Sequence, residues 1–119
     1  MKSENKILEL TFGFSLDVIN LYKLLVQQNE YVLSKQLLKS ATSIGANAEE
    51  ANAALTKREF INKMSIASKE ARETKYWLRL LDKSQIVKYD YSSYIAKIDY
   101  IINILTKIVK TSQEDETNK

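Results

Sequence analysis

Apolar residues recur at three-and-four spacing through four stretches of the chain, and each stretch predicts an amphipathic helix. The first runs roughly from Lys6 to Gln27, with Ile7, Leu10, Phe14, Val18, Leu21 and Leu25 on one face. Leu8, Phe12, Leu16 and Ile19 are expected to widen that face. The polar cluster Gln27-Gln28-Asn29-Glu30 then reads as a turn. The second helix is expected from Val32 to Leu55. Ser34, Leu37, Ala41, Ile44, Ala48, Ala51 and Leu55 form its seam, in alternating steps of three and four.

Thr56 opens a capping box. Its hydroxyl is placed to accept the backbone N–H of Glu59, and the Glu59 carboxylate to reach back to the N–H of Thr56. The third helix follows to about Lys83, with Phe60, Met64, Ala67, Ala71, Thr74, Leu78 and Leu81 on its seam. A polar break at Asp82-Lys83-Ser84-Gln85 comes next, with Ile86 and Val87 expected to plug the core. Asp90 or a neighbour caps the fourth helix, whose seam is Tyr91, Ile95, Ile98, Ile102, Leu105 and Val109. The remainder, TSQEDETNK from Thr111, is polar and acidic and is expected to be disordered. The prediction is an all-α protein: an antiparallel up-down-up-down four-helix bundle over residues 1–110, with a tail over 111–119.

The stretch from Lys39 to Ala54, KSATSIGANAEEANAA, consists almost wholly of small residues inside a helix. Small side chains let a neighbouring backbone come close. Ala41, Ile44, Gly45, Asn47, Ala48 and, on the third helix, Trp77 are therefore candidates for helix packing or an oligomer interface. Gly45 is expected there for packing, since glycine costs about 1 kcal/mol of helix propensity relative to alanine. Gly13 carries the same cost and is read as a second point of close approach.

Composition removes most chemistry. The 119 residues contain no proline, two glycines, no cysteine and no histidine. Disulfides, thiolate metal sites, Ser-His-Asp or Cys-His catalysis and Glu-x-x-His metal pairs are all excluded. Two glycines do not make a phosphate loop. Glu49-Glu50 and Glu70 with Glu73 are paired carboxylates, most simply read as solvated faces. No enzyme, cofactor or metal is expected. No run of 18 apolar residues suits a membrane, and the N-terminus lacks the pattern of a signal peptide, so the expectation is a cytoplasmic protein.

Charge changes the picture through its distribution. The third helix holds eight of the 18 basic residues. With Phe60 at zero and 100° per residue, Lys57, Arg58, Lys69, Arg72, Lys75, Arg79 and Lys83 fall between about 60° and 180°. Glu59, Glu70 and Glu73 fall on the other flank. Like charges three and four residues apart repel, so the stripe calls for salt, a facing acidic helix or an anionic partner. Tyr76 lies among these residues and is placed to stack on a base. Two readings stay open: a solvated or ion-paired face, or contact with nucleic-acid phosphates. Tyr22, Tyr89, Tyr94 and Tyr100 fall off the seams, either walling the core or forming a subunit interface.

The segment Gln36 to Ala54, QLLKSATSIGANAEEANAA, resembles the small-residue signature of the bacterial four-helix-bundle proteins also called 23S rRNA intervening-sequence proteins. The segment Arg58 to Leu81, REFINKMSIASKEARETKYWLRLL, resembles that family's third helix. The resemblance covers about Lys6 to Val109. Lys39 departs from it, standing where members often have arginine. The resemblance implies an antiparallel bundle assembled as a homopentameric ring. It also links the chain to the accessory proteins of diversity-generating retroelements, basic pentamers that bind nucleic acid and a reverse transcriptase. The basic stripe and the resemblance together lead to the expectation of a non-enzymatic oligomer that binds RNA or DNA, structured RNA foremost, through the third helix. The alternative is a scaffold whose partners are proteins.

Overall fold

A computed structural model describes the backbone of residues 2–117 and the side chains of residues 6–115. Four helices, α1 (Lys2–Gln27), α2 (Val32–Asn52), α3 (Lys57–Ser84) and α4 (Ser92–Thr117), form an antiparallel up-down-up-down bundle. Each helix packs against two neighbours, α1 against α2 and α4, and α3 against α2 and α4. The rod measures 52 × 22 × 21 Å. No helix among the described residues is long and apolar enough to cross a membrane.

The seams meet largely as their spacing requires, but Leu10, Phe60, Ile95 and Val109 are only partly buried, and Ile101 and Ile108, off the expected α4 seam, are buried instead. Ile7, Phe14, Val18, Leu21 and Leu25 of α1 are buried with Leu37, Ala41, Ile44, Ala48 and Ala51 of α2. Met64, Ala67, Ala71, Leu78 and Leu81 of α3 and Ile98, Ile101, Ile102, Leu105 and Ile108 of α4 complete the core. One polar contact crosses the buried α2–α3 seam, a hydroxyl–hydroxyl hydrogen bond of 2.9 Å between Thr74 and Ser40. Gly45 is the close approach it was expected to be. A Cβ there would lie 3.4 Å from Thr11 Oγ1 on α1. Gly13 is not, because nothing stands within 4 Å of the corresponding point. It opens a hollow of about 280 Å³ between α1 and α4, lined by Leu10, Phe14, Tyr100 and Ile101 among others.

Each turn has its own chemistry. Asn29 takes the left-handed conformation at φ 66°. The Glu30 N–H then donates to Leu25 O and the Asn29 N–H to Val26 O, at 2.9 Å each, the pair of bonds that closes a Schellman motif. The buried Glu30 carboxylate caps α2. Its Oε2 accepts the N–H groups of Val32 (3.1 Å) and Leu33 (3.0 Å), and its Oε1 that of Ser34 (2.7 Å). Thr56 caps α3 as predicted, accepting the Glu59 N–H at 3.1 Å. The return bond differs: Glu59 accepts from the N–H of Leu55 at 3.3 Å, one residue earlier than expected. Gln85, left-handed at φ 48°, ends α3. Asp90 accepts both the N–H and the hydroxyl of Ser92 at the start of α4, and these bonds lower its carboxyl pKa.

Several expectations are corrected. α2 stops at Asn52, because Ala53 leaves the helical conformation to reach the Thr56 cap. Leu55 is consequently 94% exposed rather than part of the seam. Phe12 and Leu16 do not widen the core face; they are 64% and 50% exposed, since they lie on the outer side of α1. Val87 plugs the core but Ile86 points out. α4 does not end near Lys110. It continues to Thr117, with Ser112 buried and Asp115 3.9 Å from Lys57 Nζ. Residues 118 and 119 of the expected tail lie outside the described residues. The off-seam tyrosines divide. Tyr94 packs on the core, where burial first and the neighbouring Tyr89 second push its hydroxyl up to about 12. Tyr89 and Tyr100 are exposed.

Candidate nucleic-acid interface

The basic flank of α3 faces α4, and the two helices leave an open trough between them. Ser65, Ser68, Arg72, Lys75, Tyr76 and Arg79 line one wall, and Asp99, Asn103, Thr106, Lys110 and Gln113 the other. Tyr76 apart, the positions on each wall advance in alternating threes and fours, which keeps them on one edge of the helix for some 21 Å. Arg72 donates across the trough to Thr106 Oγ1 at 3.3 Å. This contact separates a hollow of about 250 Å³ toward Lys110 from a larger one of about 580 Å³ toward Arg79.

The lining carries four cations, Arg72, Lys75, Arg79 and Lys110, against the single carboxylate of Asp99. Asp99 lies 2.7 Å from Lys75 Nζ, so one cation is locally balanced. Arg79 has no acid within ion-pair distance among the described residues, and neither do Arg72 and Lys110. Cations along a concave wall of low dielectric reinforce one another's field. An anion in the trough would gain from that field and would also meet the hydroxyls of Ser65 and Ser68.

The predicted stripe residues therefore divide. Arg72, Lys75, Tyr76 and Arg79 come together in the trough. Arg58, Lys69 and Lys83 are exposed outside its lining, where they extend the positive surface. Lys57 sits at the end of the bundle beside Asp115. Of the packing candidates, Ala41, Ile44, Gly45 and Ala48 are buried inside the bundle. Asn47 is half-buried and donates from its side-chain amide to Ser43 O at 2.8 Å. Trp77 is half-buried against the core, and its Nε1 donates to Glu73 Oε2 at 3.2 Å. These small residues of α2 thus serve packing within one chain.

The opposite flank of α3 turns toward α2 and is acidic. Burial and the charge of Glu73 raise the Glu70 carboxyl pKa, partly offset by Lys39 and Lys69. Lys63, off the stripe, bridges to Glu50 of α2 at 2.8 Å, and that hydrogen bond raises its own pKa. The α4 wall was missed from sequence. Its signal was nonetheless present, since Asp99, Asn103, Thr106, Lys110 and Gln113 advance by four, three, four and three, one position beyond the apolar seam.

The family model described as 23S rRNA-intervening sequence protein matches residues 3–107. The chain belongs to that family. The family match takes in α2, α3 and the trough positions Asp99, Asn103 and Thr106, and stops before Lys110 and Gln113. Among solved structures, the chain is similar to a protein with unknown function from the S23 ribosomal protein family of Bacteroides thetaiotaomicron VPI-5482. The two are 44% identical and superpose with a TM-score of 0.86, covering 91% of this chain and 98% of the other. No curated protein matches the chain.

Proposed function

We propose that this member of the 23S rRNA-intervening sequence family is a non-enzymatic, self-associating bundle that binds nucleic acid, structured RNA foremost, in the α3–α4 trough. The observation that carries the reading is the trough itself, whose lining holds four cations and one carboxylate. Phosphate contacts of this kind supply most of the affinity of sequence-independent binding and make it salt-dependent. The resemblance to the intervening-sequence family, to which the nucleic-acid-binding accessory proteins of diversity-generating retroelements are related, is in keeping with this reading.

Binding of a folded RNA to wild type and to the double variant Arg72→Glu/Arg79→Glu tests it. Affinity is expected to fall at least about 30-fold, and the slope of log affinity against log salt to become shallower by about two, one per lost phosphate contact. Unchanged affinity and slope would remove the trough from the binding reaction.

Self-association is assigned to a different surface. Phe12 and Leu16 stand one turn apart on the outer side of α1, both largely exposed, and adjacent exposed apolar side chains suit a subunit contact; the resemblance seen in sequence implies a homopentamer. The variant Phe12→Glu/Leu16→Glu is expected to be a folded monomer in light scattering when the wild type is an oligomer. An unchanged oligomer mass would assign assembly elsewhere. A protein-interaction scaffold is the alternative, favoured if a stoichiometric protein partner survives nuclease treatment.

A further inference from the structure

Tyr76 is the one aromatic side chain in the lining of the trough, and it is 52% exposed. The structure holds its ring in place. Trp77 meets it edge to face, with centroids 5.1 Å apart and planes at 70°. Trp77 is itself fixed, packed on the core and hydrogen-bonded to Glu73. Lys75 and Arg79 flank the tyrosine on its own wall, and Asn103 lines the same hollow from α4. A fixed aromatic face among cations has two complementary needs, a flat π surface and a nearby negative charge.

A continuous duplex satisfies only the second, because its base faces are stacked on one another everywhere except at its ends. An unpaired nucleotide satisfies both. Its base stacks on the ring, a contact open to any base, and its flanking phosphates reach the cations. Unpaired bases in loops and bulges are also where proteins reach the hydrogen-bonding edges of RNA. The Asn103 amide, with donors and an acceptor, is the group on the facing wall suited to such an edge. We infer that the α3–α4 trough is a seat for an unpaired nucleotide, with its base stacked on Tyr76 and its phosphates held by Arg72 and Arg79, the cations of this hollow that Asp99 does not balance. The inference rests on the nucleic-acid reading above and narrows its ligand to RNA that presents unpaired bases.

The test compares two RNA probes with equal numbers of phosphates, a hairpin with an open loop and a fully paired duplex. Each is titrated with wild type, Tyr76→Ala and Tyr76→Phe, after thermal melts confirm that the variants fold. Tyr76→Ala is expected to weaken hairpin binding about 10-fold or more, the usual scale for loss of one stacked base, and to leave duplex binding within about two-fold. Tyr76→Phe, which keeps the ring, is expected to retain hairpin affinity. A 2-aminopurine placed in the loop should be quenched by wild type and by Tyr76→Phe but not by Tyr76→Ala. Equal losses on both probes, or none, would overturn the stacking seat while leaving phosphate binding standing. Failure of wild type to bind either probe would overturn both readings.

Discussion

Gly45→Leu is expected to lower the stability of the bundle by about 3 kcal/mol, the upper range for overpacking a well-filled core. For a domain of this size that is a fall of roughly 10–15 °C in melting temperature. The cause is the α1–α2 seam. Thr11 is buried, its hydroxyl donates to Ile7 O at 2.8 Å, and its Oγ1 stands 3.4 Å from the point a Cβ would occupy. A leucine branch has nowhere to go without pushing α1 away. Alanine is different, because 3.4 Å is an ordinary van der Waals contact. Gly45→Ala is expected to be neutral or to gain up to about 1 kcal/mol from helix propensity. Thermal unfolding of the two variants beside wild type checks both signs. A leucine variant that melts like wild type would mean the seam is looser than its geometry.

Glu30→Ala is expected to cost about 2–3 kcal/mol, more than the loss of an ordinary helix cap. The position normally read for a cap is Tyr31, whose side chain makes no capping bond. The residue before it supplies the acceptor instead. One buried carboxylate takes three backbone N–H groups at 2.7–3.1 Å, at the end of the helix where the dipole favours negative charge. Alanine would leave the buried Ser34 N–H without a partner and the part-buried N–H groups of Val32 and Leu33 to water. Glu30→Gln keeps one oxygen acceptor and loses the charge, so it should fall between alanine and wild type. Chemical denaturation at neutral pH gives the order directly. An alanine variant as stable as wild type would show that other groups satisfy the start of α2.

The bundle was legible in sequence because nothing competes with helix. No proline interrupts it, and the seams of α2 and α3 are unbroken runs of threes and fours. The boundaries were legible where a side chain announces them, as Thr56 does. They were not where the backbone turns without a marker. Ala53 ends α2 with no glycine or asparagine at or after the cap, where a left-handed stop would show, and Asn52 is still helical, so the seam arithmetic ran on into Leu55. The end of α4 was misread because TSQEDE looks like a tail by polarity. Ser112 is small enough to continue the seam, and Asp115 reaches Lys57 on a neighbouring helix, a contact that helix periodicity does not contain. Phe12 and Leu16 were misplaced for a related reason. Their angle on a wheel says that they flank the core face, but only the position of α2 says that they fall outside it. The same limit applied to the trough. The basic flank was visible, whereas its second wall required knowing that this flank turns toward α4 and not α2.

The outer side of α1 and the α3–α4 trough lie on opposite sides of a square bundle, and each belongs to a different helical hairpin. If the proposed assembly runs through the first surface, the second stays open, and each subunit of the proposed ring would carry one trough at a fixed spacing from the next. An RNA with several open loops could then engage several seats, with each contact after the first made at the high local concentration that tethering provides. Weak single-site affinity would become strong and selective retention, governed by how many unpaired elements an RNA presents and how far apart they lie.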